Sequence, residues 1–93
     1  MTITLASFGP SLATREKARA VVASLRDVPG TEVHIDMDGV SASPSFIAEL
    51  LTQLSVRFMT LTVSGGSDHL RAVTFSLVEK LGLQGRIQQL APR

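Results

Sequence analysis

At 93 residues the chain has room for one domain with a single core, and none for a substrate domain beside it. Hydrophobic residues make up 44% of it, which favours a packed globule over a disordered segment. Nine basic against eight acidic residues leave a net charge of +1, which gives no electrostatic case for binding nucleic acid or a membrane surface. The absence of cysteine excludes disulfides, thiolate zinc sites and thiol nucleophiles. No apolar run approaches membrane-spanning length, and residues 1–20 lack a basic start followed by an apolar block, so a soluble, cytoplasmic protein is expected.

In chain order, Thr2–Phe8 reads as a strand with Ile3, Leu5 and Ala6 turned inward, broken at Phe8-Gly9-Pro10-Ser11. A helix starts near Thr14, an acceptable N-cap, with Glu16 in its first turn and Ala18, Val21, Val22 and Leu25 as its apolar stripe. Pro29-Gly30 ends it. Val33, Ile35 and Met37 supply a second strand, and Asp36, Asp38 and Gly39 its exit turn. Ser43 stands where an N-cap belongs, with Pro44 at the first helical position, where its missing N–H costs nothing. Phe46, Ile47, Leu50, Leu51 and Leu54 recur behind it at helical spacing, to about Arg57. Met59–Val63 is a third strand whose near-continuous apolar character suggests cover on both faces. After the turn Ser64-Gly65-Gly66-Ser67, a helix capped by Ser67 or Asp68 buries Leu70, Val73, Leu77, Val78 and Leu81, and Gly82 suits its left-handed end. Arg86–Leu90 makes a short edge strand. The alternation implies one α/β domain over residues 1–93, with a mainly parallel or mixed sheet of about four strands and three main helices.

Three constellations bear on chemistry. Ile35-Asp36-Met37-Asp38-Gly39-Val40 resembles the opening motif of haloacid-dehalogenase-type phosphatases, in which two carboxylates at a strand end work beside magnesium. The downstream lysine and acidic pair of such enzymes have no good counterpart here, since only Asp68, Glu79 and Lys80 follow the second helix. The plainer reading is a capped, solvated strand end. Gly65-Gly66-Ser67 before a helix is a candidate anion-binding turn, without the spacing or lysine of a P-loop. His34 and His69 are too isolated to form a metal site or dyad, and no Ser-His-Asp set stands out, so no catalytic residue, metal or cofactor is assigned. The third constellation is Ser41, Ser43 and Ser45, of which Ser45 in the first turn of a helix is the candidate phosphate acceptor.

Thr14-Arg15-Glu16, then Val33 to Val40 followed by Ser45-Phe46 and Glu49-Leu50-Leu51, resemble the helix start and core pattern of STAS-like domains, the anti-sigma-factor-antagonist type, and among them a small STAS-like group of unknown function. The resemblance runs from about Leu5 to Leu83. Counted from Gly39-Val40, the phosphorylated serine of such antagonists falls on Ser45, with Pro44 and Phe46-Ile47 replacing their Asp and Ser-Gly. The resemblance implies a non-enzymatic partner-switching module of bacterial signal transduction. Its partner would be a histidine-kinase-like ATPase, an anti-sigma factor or a sensor protein. Ser43, Pro44 and Ser45 would form the centre of the docking surface and Arg15 and Glu49 its rim. A STAS-like module binding a small anion or nucleotide at the glycine turn is the alternative, and a magnesium-dependent phosphatase the third reading.

Overall fold

Along β3 (Glu32–Asp36) and β5 (Thr60–Ser64) buried and open residues alternate strictly, so Val33, Ile35, Leu61 and Val63 enter the core while no residue of the other phase is buried. That period of two marks a sheet covered on one face only. The computed structural model describes residues 2–25 and 30–89. In it β1 (Thr2–Thr4), β3, β5 and β6 (Ile87–Gln89) form a four-stranded sheet in the order β1-β3-β5-β6. All of its pairs are parallel. Strands that add in chain order through right-handed crossovers place every connecting helix on the same side. Accordingly α2 (Pro44–Arg57) packs between α1 (Arg15–Ala23) and α3 (Asp68–Lys80), and the opposite sheet face carries Thr2, Thr4, Glu32, His34, Asp36, Thr60, Thr62, Ser64 and Gln88. The expectation that β5 is covered on both faces is therefore corrected: its threonines are the open phase of an alternating strand.

The first predicted strand is also shorter than expected. It stops at Thr4, and Leu5–Phe8 close into a 3-10 turn in which the Ser7 hydroxyl donates to the Thr4 carbonyl at 2.7 Å. That side-chain bond competes with the ladder, while Leu5 goes fully into the core and Ala6 stays outside. Helix α1 starts at Thr14, as read, and ends at Ala23; the predicted stop at Pro29 lies outside the described residues, although Gly30 is within them. A second, two-stranded parallel sheet was not foreseen: β2 (Ser11–Leu12) pairs with β4 (Ser41–Ala42). Leu90, at the end of the predicted edge strand, is also outside the described residues, and the strand itself runs Ile87–Gln89.

Helix α2 sits deepest, with Phe46, Ile47, Leu50, Leu51 and Leu54 all buried, as its spacing predicts. Helix α3 is rotated from the predicted face. Its buried residues are Leu70, Thr74 and Val78, while Val73 and Leu77 are half-buried and Leu81 is exposed, so the expectation of Val73 and Leu77 as full core residues is corrected. Thr74 is tolerated there because its hydroxyl donates to the Leu70 carbonyl at 2.8 Å, which satisfies the group within its own helix. Two devices finish the helix ends. The Leu83 and Gly82 N–H groups donate to the Val78 and Glu79 carbonyls, a Schellman closure of α3 with Val78 against buried Leu83. The Arg86 guanidinium, ahead of β6, donates to the Ser55, Phe58 and Met59 carbonyls and so caps the end of α2 with a cation.

Leu50 is buried at the centre of this arrangement. Leu50→Ala should cost about 2–5 kcal/mol, the loss of a large core side chain plus its cavity. Denaturant unfolding of the two proteins checks it; a change below about 1 kcal/mol would mean that α2 does not pack as described.

Candidate functional site

Because all four strands run the same way, the helices all begin at the carboxyl end of the sheet, and the predicted site residues gather there. The β2–β4 pair ties the starts of α1 and α2 together. The Ser41 N–H donates to the Pro10 carbonyl at 2.9 Å and the Ser43 N–H to the Leu12 carbonyl at 3.0 Å. The Ser43 hydroxyl accepts from the Phe46 N–H at 3.1 Å, as the N-cap of α2, and donates to the Ala13 carbonyl at 2.8 Å. Both capacities of Ser43 are thus used inside the protein. Pro44 and Ser45, the next two residues, are exposed.

Arg15 holds the corresponding first position of α1, after the Thr14 cap, and is exposed as well. Glu49 stands one turn after Ser45 on the same face of α2. It is half-buried and accepts from the Arg19 Nε at 3.0 Å, which stitches α1 to α2 along their seam. The structure therefore brings Ser43, Pro44, Ser45, Arg15 and Glu49 to one end of the α1–α2 pair. Only Pro44, Ser45 and Arg15 of these offer exposed side chains. The first turn of α2 contains no acidic residue, whereas α1 has Glu16 and α3 has Asp68 in theirs.

The glycine turn has a different character. Gly65 and Gly66 both adopt positive φ, +73° and +86°, which L-residues with a Cβ avoid. The Asp38 carboxylate fills the space beside them: its Oδ1 accepts from the Gly66 N–H at 2.9 Å and would collide with a Cβ on Gly65. The donor of the turn thus already meets an anion supplied by the chain, and the Ser67 hydroxyl is used in accepting from the Leu70 N–H. Asp36 turns its Oδ1 to the Asp38 N–H at 3.0 Å, so these two carboxylates face different donors. Among the described residues no group of three or more His, Asp or Glu side chains could hold a metal ion.

One pairing escaped the sequence reading. His34 Nε2 and Ser64 Oγ share a hydrogen bond at 2.5 Å on the open sheet face, both half-buried. Their positions in the polar phase of two apolar strands were visible, but their proximity follows only from the β3–β5 register. A cleft of about 390 Å³, lined by Thr60 and Gln84–Gln88, lies at the opposite end of the sheet from the helix starts and holds none of the predicted site residues. Among the described residues no helix is long and apolar enough to cross a membrane. Compared with known protein families, with curated proteins and with solved structures, the chain gives no match.

The collision at Gly65 is testable against Gly39, which also has positive φ but only Ala6 within ordinary contact distance. Both alanine substitutions should cost about 1 kcal/mol for the left-handed backbone. Gly65→Ala should cost clearly more, and combining it with Asp38→Ala should recover part of the excess. A double-mutant cycle in denaturant measures that coupling; strictly additive effects would show that Asp38 does not occupy the turn.

Proposed function

We propose that the chain is a non-enzymatic, cytoplasmic protein–protein interaction module of the partner-switching type, with Ser45 as a phosphate acceptor that sets its affinity. Its partner on this reading is a histidine-kinase-like ATPase acting as anti-sigma factor or serine kinase, or a sensor protein. The observation that carries the reading is an exposed serine in the first turn of a helix that has no acidic residue there. A phosphate at Ser45 would bring about −1.5 to −2 charge to the positive end of the α2 dipole, which favours an anion. Folding would change little. A partner covering the same helix end would instead have to desolvate a dianion.

The resemblance of Val33–Phe46 to the core of the STAS-like antagonists supports the same residue. Ser43 and Pro44 serve on this reading to fix the turn that presents Ser45, and Arg15 on the neighbouring helix start provides a cation at the rim. The anion-module alternative loses ground because Asp38 already engages the Gly66 N–H.

Ser45→Glu should leave the fold intact and weaken partner binding at least tenfold, about 1.4 kcal/mol. Ser45→Ala should bind like the wild type and resist modification by a cognate kinase. Titration calorimetry against a co-purifying histidine-kinase-like ATPase reads both. Equal affinity of the wild type and Ser45→Glu would reduce Ser45 to an ordinary helix-start residue.

A further inference from the structure

We propose that Ser64 is a nucleophile activated by His34, and that it accepts an acyl group from small activated esters or thioesters. A serine hydroxyl is a weak nucleophile until a neighbouring base can take its proton. The hydroxyls of Ser7, Ser24, Ser43 and Ser55 donate to backbone carbonyls, which cannot take up a proton. The partner of Ser64 is a ring nitrogen at 2.5 Å. With the ring proton on Nδ1, Nε2 is the acceptor and the Ser64 O–H points its proton at a base.

The placement is rigid on both sides. The register pairs His34 with Thr62 and Asp36 with Ser64, so Ser64 lies diagonally from His34 on the same face of adjacent strands. The Ser64 carbonyl also accepts from the Met37 N–H at 2.9 Å, which fixes the strand end. Ser64 is half-buried, and Thr2, Asp36 and Thr62 around the pair on that face are half-buried or exposed, so the core does not close over it.

In the reaction Ser64 Oγ bonds to the acyl carbon as its proton passes to His34 Nε2. The bond from that carbon to the leaving oxygen or sulfur then breaks, and His34 returns the proton to the departing alkoxide or thiolate. The acyl group ends on Ser64 and an alcohol or thiol is released, with no change of oxidation state. The Gly66 N–H, one backbone donor of the glycine turn, is engaged by Asp38 rather than aimed at a developing oxyanion. A good leaving group is therefore required, and acyl-Ser64 accumulates as a modified protein instead of turning over. This inference is independent of Ser45.

The test is to expose the folded protein to p-nitrophenyl acetate and locate acetyl groups by peptide mass spectrometry over time. Ser64 should be acetylated at least about tenfold faster than exposed Ser45, and His34→Gln should slow Ser64 by about tenfold or more, a threshold set below the roughly hundredfold that a positioned base supplies at the least. A Ser64 rate within tenfold of Ser45 in the wild type overturns the proposal, whether or not the variant folds. So does a His34→Gln protein of unchanged circular dichroism whose Ser64 reacts less than tenfold more slowly.

Discussion

The chain-order parallel sheet is the constraint from which the remaining architecture follows. Each crossover moves one strand further in the same direction, so right-handedness leaves the helices no choice of face. A doubly wound sheet reverses direction once, and the crevice at that reversal is where its ligands bind. The order β1-β3-β5-β6 never reverses and has no such crevice. What it creates instead is two surfaces: an end where all the helices begin, and a polar sheet face that none of the described helices covers.

The helix-start end is braced by a side-chain cap on each helix. Thr14, Ser43 and Ser67 each cap their helix through a side-chain oxygen, and Ser43 also reaches across to the Ala13 carbonyl. The far end of α2 is held by Arg86, whose guanidinium links three carbonyl groups to the approach of β6. Since α2 buries Phe46, Ile47, Leu50, Leu51 and Leu54, its orientation is set by the core along most of its length. A group placed on its first turn is presented from a fixed platform, which is what a recognition surface requires.

Much of this was legible beforehand because the signals were local. Ser43-Pro44 followed by a wide apolar stripe determines α2 without reference to anything outside it, and Thr14 and Gly82 mark helix ends by their own chemistry. What failed depended on partners. Thr74 entered the core because a carbonyl four residues back satisfies its hydroxyl, a cost that apolar counting charges to threonine without seeing the offset. The two-residue strands β2 and β4 are too short to carry a periodic signal, yet their pairing aligns α1 with α2. The glycine turn was read as open to an anion because Asp38, 27 positions before Gly65, could not be placed beside it until β3 and β5 were known to be adjacent. The same missing adjacency hid His34 from Ser64.

The two loops that leave β3 and β5 show how the chain handles charge at its helix-start end. Asp38 supplies a fixed carboxylate to the β5–α3 turn, and Asp68 adds another in the first turn of α3. Glu16 does the same for α1. Helix α2 is left with proline, an exposed hydroxyl and no acid in its first turn. A charge added there meets a rigid helix whose cap is already bonded on both sides. On the reading proposed above, a switch at that position would work through the charge presented to a docking partner, and not through a rearrangement of the fold behind it.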